Sequence, residues 1–208
     1  MKLFNFDRVL CLSPHPDDVE YSMSGMVDVH CDTQFDTLCM SVGGEDDPTA
    51  HPDRFEEVKE FWSVMGCDNI NLNFEYGFVS RYKESKWIDL IENRYLGDAQ
   101  CIVLCSSNDA HFEHRIVNSI ANPLTRKNKI SIIEYRSPST MLGWVPNFFV
   151  ELSDGLLDRK IKSLQQFKTQ IDAPYFWEDT IPSFHTEFSA TKRGVKYVEP
   201  FKIIQLFS

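Results

Sequence analysis

The residues His15-Pro16-Asp17-Asp18-Val19-Glu20 bring one imidazole and three carboxylates together, with Pro14 and Pro16 fixing the backbone on either side of His15. Nitrogen and hard oxygen donors at this density suit a divalent cation. A plainer role is also open: Asp17 and Asp18 can cap a following helix and complement its positive end. A second cluster bears on the choice. In Asp109-Ala110-His111-Phe112-Glu113-His114, the two histidines are three residues apart, which on a helix puts both on one face. One ring can bind a metal while the other faces a substrate. If the two clusters meet, they fit a zinc site with three protein ligands and an open coordination position, the arrangement of catalytic zinc. A helix N-terminus also disfavours imidazolium, and metal ligation needs the neutral ring.

The elements around these clusters predict that they do meet. Short apolar runs over Arg8–Ser13, Phe35–Ser41, Ile70–Phe74, Gln100–Ser106 and Ile130–Tyr135 read as strands, and Asp18–Val29, Asp53–Gly66, Ser85–Leu96 and His111–Ala121 carry helical spacing between them. The alternation predicts an α/β fold, a Rossmann-like, doubly wound, mostly parallel sheet covered on both faces. With a core strand order of 3-2-1-4-5, strands one and four flank the reversal of order, and the loops at their carboxyl ends share one crevice. The two clusters follow those two strands. The last third reads as a C-terminal strand and helix extension: a strand at Phe148–Leu152, a helix over Asp154–Thr169, a stretch rich in Pro and aromatics, and a strand over Tyr197–Phe207 with Pro200 marking an edge or bulge. No repeat, low-complexity tract or linker divides the chain, so residues 1–208 read as one domain.

Composition narrows the function further. The 208 residues are 42% hydrophobic and 25% charged, enough to bury roughly 70% of the extended-chain surface without structural metal or disulfides. Any metal is then functional. Twenty-one basic against 31 acidic residues give a formal charge of -10, which opposes binding to nucleic acid or anionic membrane. The N-terminus lacks a secretory apolar core and no run approaches ~20 apolar residues, so the expected location is cytoplasmic. Of six cysteines, Cys11, Cys39, Cys101 and Cys105 lie in apolar strand-like runs and read as buried thiols.

PHPDDVE followed by DAHFEH resembles the PIG-L/LmbE family of metal-dependent deacetylases, with its HPDDxE loop after the first strand and its later DxHxDH element. Arg54-Phe55-Glu56-Glu57 is similar to the family's RxxE helix start, and Trp144-Val145-Pro146-Asn147 to its WxPN element. The resemblance implies His15, Asp18 and His114 as metal ligands, Asp17 as general base and His111 as the group stabilising the acyl oxygen. It further implies Arg54 as a substrate contact, Glu20, Asp109 and Glu113 as residues that orient the ligands and the base, and association into trimers or hexamers. Bound zinc would polarise the amide carbonyl and lower the pKa of water from about 15.7 toward about 7. Two His and one Asp suit ferrous iron equally. The implied reaction is removal of acetyl from an N-acetylated amino sugar, a conjugate of the N-acetylglucosamine type. Two alternatives stand beside it: a metal-dependent amidase or esterase acting on a non-sugar acyl group, and a catalytically silent sugar-binding subunit. Glu113 departs from the family pattern by standing where an aspartate is usual. The loop Asn73–Phe78 departs by lacking the aspartate many relatives carry there, which leaves the sugar contacts at that loop open.

Other polar or aromatic features read as structural. Gly43-Gly44-Glu45-Asp46-Asp47 lacks GxGxxG spacing and would repel phosphate. His51-Pro52-Asp53 has no second carboxylate, and Asp53 reads as a helix cap. His30 and His185 read as structural or solvated, with His185 able to reach the cleft only if the tail folds over it. Tyr175, Phe176, Trp177 and Phe184 could stack on a sugar ring, but the favoured expectation is that they plug the tail onto the sheet or form a subunit contact.

Overall fold

A continuous apolar run, Arg8–Ser13, forms β1, and every residue after Arg8 in it is buried. Such a run suits a strand covered on both faces, where no solvent face demands alternation. In the computed structural model, which describes residues 2–43, 51, 53–77, 79–80, 83–126, 129–189 and 194–207, β1 leads into α1 (Asp18–Val29). The chain continues through β2 (Gln34–Cys39), α2 (Asp53–Met65), β3 (Ile70–Phe74), α3 (Glu84–Leu90), β4 (Cys101–Cys105), α4 (Phe112–Leu124) and β5 (Ser131–Tyr135). It ends with β6 (Phe148–Leu152), α5 (Asp154–Leu164), α6 (Ile181–Thr186) and β7 (Tyr197–Gln205). The sheet order is β3-β2-β1-β4-β5-β7-β6. The first five strands are parallel, in the predicted 3-2-1-4-5 order, and β7 is antiparallel to both β5 and β6. The order reverses between β1 and β4, which opens a crevice beyond Ser13 and Cys105.

The structure differs from the sequence reading in several places, two of them in the extension. Strand β7 is interior, so Pro200 marks no edge: it pairs with Phe149 of β6, while the β5 ladder begins one residue later at Tyr135↔Phe201. A missing N–H is tolerated there because no β5 partner faces it. The irregularity in the ladder lies instead between Ile132 and Ile133. Helix α5 stops at Leu164 and not at Thr169; the chain turns so that Phe167 packs its ring against Phe61 and Phe176 at 5.7 and 5.6 Å. Helix α3 gives way at Ile91–Tyr95 to a π-helical turn that ends before Gly97.

Helix α1 lies against β6 and β7 through Gly25, where a Cβ would fall 2.2 Å from Leu152 Cδ2. There Glu199 accepts from the Gly25 and Met26 amides at 2.8 and 2.7 Å and from Lys160 Nζ at 2.6 Å. Both side chains of that ion pair are fully buried, so removing either partner would leave an uncompensated charge in the core. The helix whose first turn carries the acidic cluster is thereby tied to the C-terminal strands.

Candidate metal centre and active site

The first cluster is shaped by its helix start. Asp17 is the N-cap of α1 with φ 114° and ψ -27°, a left-handed conformation uncommon outside glycine. Its backbone N–H donates to Glu20 Oε2 at 3.1 Å, and Trp62 Nε1 donates to the other Glu20 oxygen at 2.8 Å. Glu20 therefore holds the strained turn and does not reach the cluster's imidazoles. Strain kept in place by surrounding bonds is a feature of functional sites. The His15 amide donates to Asp18 Oδ2 at 3.0 Å, which fixes that carboxylate beside the His15 ring.

The second loop is held from β5 and the segment after it. Glu134 accepts from Ser107 N at 3.1 Å, Asn118 Nδ2 at 2.9 Å and Trp144 Nε1 at 3.1 Å, joining the loop, α4 and the WxPN-like element. Buried Asp109 accepts from Ser137 Oγ at 2.5 Å, Ser139 Oγ at 2.6 Å and the His111 amide at 2.8 Å.

The two loops meet. Ring centroids of His15 lie 4.9 Å from His111 and 5.5 Å from His114, and those of His111 and His114 are 4.7 Å apart. Asp18 sits between two of the rings, with Oδ2 3.3 Å from His15 Nδ1 and Oδ1 3.3 Å from His114 Nε2. His114 Nδ1 lies 3.2 Å from Asp109, and His15 Nε2 contacts the Glu113 carboxylate. Among the described residues, the three whose donor atoms all lie within 4.8 Å of one another are His15, His111 and His114. The expected ligand set had Asp18 where this compact group has His111, and the structure gathers all four. The carboxylate of Glu113, one methylene longer than the aspartate usual in the family, contacts His15. Arg54 faces the cavity but turns its guanidinium inward: Nη1 donates to Val42 O at 2.6 Å, and Nη2 to Pro16 O at 3.0 Å and to Asp17 Oδ2 at 3.4 Å.

These groups line a cavity of about 450 Å³, together with Tyr21, Gly43, Pro138, Ser139, Gln170 and Tyr175. The sequence reading missed most of that wall. Ser139 had a signal, a Ser/Thr-rich stretch past a strand's carboxyl end. Tyr175 had one as well, in the aromatic stretch weighed for stacking on a sugar ring, while Gln170 had none, because its place depends on the tail folding back. His185 is fully buried under the Tyr21 ring and does not line the cavity. Residues 44–47 and Pro52, of the two loops weighed in the sequence, and Phe78 lie outside the described residues.

Burial pushes the Asp17 carboxyl up to about 7, helped by the charge of Asp18 and opposed by Arg54. Burial likewise raises Glu20 to about 7 against the Trp62 hydrogen bond. Burial would raise Asp18 too, but His114 and His15 hold it well below the usual carboxylate range. For the imidazoles, burial acts downward and is outweighed: Asp18 and Glu113 carry His15 to about 9, and Asp18 and Asp109 carry His114 to about 10. His111 is lowered by burial and by its two cationic neighbours. The donor set therefore fits a divalent cation, which would replace two imidazolium protons among buried carboxylates. A pH dependence follows. Below about 9 both rings are protonated, so metal uptake must release two protons, and apparent zinc affinity should rise by up to about a hundredfold per pH unit until that range is passed. Calorimetry in buffers of differing ionisation enthalpy counts those protons; uptake without proton release would contradict the assignment of His15 and His114 as ligands.

Comparison with known proteins bears on the identity of the fold and site. The profile of the GlcNAc-PI de-N-acetylase family, PIG-L, matches residues 10–124, a span that contains both clusters. The chain belongs to the PIG-L family. This PIG-L protein is 23% identical over 168 residues to the uncharacterized deacetylase YaiS of Escherichia coli K12, covering 77% of this chain and 90% of that one. Its fold matches the N,N'-diacetylchitobiose deacetylase of Pyrococcus horikoshii with a TM-score of 0.70 at 19% identity, covering 97% and 85% of the two chains. It also matches GalB, the 4-carboxy-2-hydroxymuconate hydratase of Pseudomonas putida KT2440, with a TM-score of 0.69 at 14% identity over 100% and 98%. The PIG-L fold thus supports more than one reaction, and the chemistry must be argued from the site. Among the described residues, no helix is long and apolar enough to cross a membrane.

Proposed function

We propose that this PIG-L protein is a zinc-dependent N-deacetylase, with ferrous iron also suited to its donor set, acting on an N-acetylated amino sugar of the N-acetylglucosamine type. The observation that carries this reading is the position of Asp17: a buried carboxylate facing a cavity, beside a cluster of imidazoles and acids able to hold a cation. His15, Asp18 and His114 would hold the metal, His111 being the nearest further donor. When bound, the metal supplies polarisation of the acyl oxygen and acidification of water.

The chain's own residues do the rest. Asp17 removes a proton from the attacking water as its oxygen adds to the acyl carbon, a step for which a carboxylate lining the cavity beside the metal donors is well placed. Negative charge gathers on the acyl oxygen, and the His111 ring donates a hydrogen bond to it. Asp17 then returns the proton to the departing nitrogen, and the C–N bond breaks to give acetate and the amine. Arg54 holds Asp17 through its Nη2 contact and braces the loop carrying Val42, with its remaining cavity-facing surface available to substrate. Asp109 and Glu113 orient His114 and His15, as partners of metal histidines commonly do.

The substrate's charge separates this reading from chemistry on carboxylate-bearing substrates, the type that GalB's name describes. Among the described residues, Asp17, Asp18 and Glu113 face the space together with His15, His114 and Arg54, whose guanidinium is engaged by two carbonyls and Asp17. All six cysteines are free, and four are buried, which accords with a reducing, cytoplasmic setting. The test is amine release from N-acetylglucosamine conjugates and from N-acetyl amino acids by the zinc-loaded protein. We expect turnover of the sugars and at least about tenfold less of the amino acids, which lack a hydroxylated ring for the cavity's polar groups to bond. The reverse preference would overturn the substrate class.

A further inference from the structure

Helix α2 carries two polar side chains three residues apart, and they serve different walls of the cavity. Arg54 reaches the loops after β1 and β2. Glu57, which is 7% exposed, faces the turn that follows α5. Its Oε1 accepts from the Thr169 backbone N–H at 2.8 Å and its Oε2 from the Thr169 hydroxyl at 2.7 Å. Both carboxylate oxygens are thus used on the residue immediately before Gln170. The Gln170 backbone is fixed in turn, its N–H donating to Phe167 O at 3.0 Å and its carbonyl accepting from Ala173 N at 2.9 Å. Phe167, fully buried, anchors the whole turn on the core. Gln170 then lines the cavity from a wall separate from the histidine and acid cluster.

We propose that Gln170 is a specificity-determining residue that reads a hydroxyl of the substrate's ring, and that the Glu57–Thr169 clamp positions it. A primary amide offers both donors and an acceptor, which matches a hydroxyl in either sense. It carries no charge, so it complements a polyhydroxylated group and gains little from a carboxylate. The clamp fixes the backbone from which the amide extends, so less ordering remains to oppose binding. A site built to bond a hydroxyl also rejects ligands lacking one, because its polar group is left unpaired.

The proposal takes its choice of ligand from the sugar reading above, and binding in place of turnover makes the two separable. The probes are glucosamine, the expected product class, and 2-aminoethanol, which has the amine without the ring, titrated calorimetrically into the zinc-loaded protein. Gln170→Ala should weaken glucosamine about tenfold, the size of one hydrogen bond, and leave 2-aminoethanol and zinc content unchanged. Thr169→Val, which keeps the backbone bond to Glu57 but loses the hydroxyl bond, should weaken glucosamine severalfold, and Thr169→Ser should restore it. Unchanged glucosamine affinity in Gln170→Ala, or a wild-type protein that fails to prefer glucosamine over 2-aminoethanol, overturns the role of Gln170. A loss in Gln170→Ala with none in Thr169→Val overturns the clamp. Glucosamine binding that depends on Gln170, without amine release from any acetylated sugar, leaves this subsite standing and removes the deacetylase reading.

Discussion

Asp17→Asn should keep a full equivalent of zinc and lose between about a hundredfold and ten-thousandfold in deacetylation rate, the range that general-base catalysis supplies. Asparagine is the replacement the backbone accepts. At φ 114° most side chains are strained, while Asn, like Asp, is enriched at positive φ. The bonds that hold the turn also survive, because the Asp17 amide donates to Glu20 and its carbonyl accepts from the Tyr21 amide at 2.7 Å whatever side chain is present. The Asn oxygen can still receive the Arg54 Nη2 contact. Only proton acceptance is lost. Glu20, though raised to the same range, cannot substitute, since its oxygens are engaged by the Asp17 amide and Trp62 and it does not line the cavity. Steady-state rates paired with elemental analysis decide the matter. Wild-type activity in Asp17→Asn would remove the base assignment, and loss of zinc would make Asp17 a ligand.

The parts of this site legible in the sequence are those governed by local rules. Strand β1 is a continuous apolar run, and α1 begins where Pro16 gives way to acids, so both were placed residue for residue, and so was β3. From those elements and the 3-2-1-4-5 order, the meeting of His15 with His114 follows as topology. What escaped depends on contacts between distant segments. Phe167 continues the apolar spacing of α5, and only its packing against Phe61 and Phe176 shows why the helix has already ended. Tyr175, expected to plug the tail, also presents itself to the cavity, since the Tyr21 hydroxyl donates to its carbonyl at 3.0 Å and sets its direction. Arg54 lines the cavity, where a substrate contact was expected, but the two backbone carbonyls that hold its guanidinium were not legible, because no spacing rule foretells which carbonyls fold next to an arginine.

His114→Ala should lower zinc affinity by more than the about 10–100-fold expected when only an orienting partner such as Asp109 is removed. The ring is 4% exposed and wedged between Asp18 and Asp109 at 3.3 and 3.2 Å. Without it, a buried nitrogen donor is gone, and two carboxylates face the gap with no ring between them. The helix itself should hold, because Asn118 still donates to Glu134 and to Cys105 O, and Ile116, Val117 and Ile120 remain in the core. A parallel His111→Ala variant resolves the choice between the two geometric ligand sets. If Asp18 is the third ligand, that variant keeps its zinc and loses about a hundredfold or more in rate through the missing hydrogen bond to the acyl oxygen. If the three histidines hold the ion, zinc leaves with His111 as readily as with His114. Equilibrium dialysis against a zinc buffer, read by elemental analysis, separates the cases, and tight retention by His114→Ala would exclude that ring from either set.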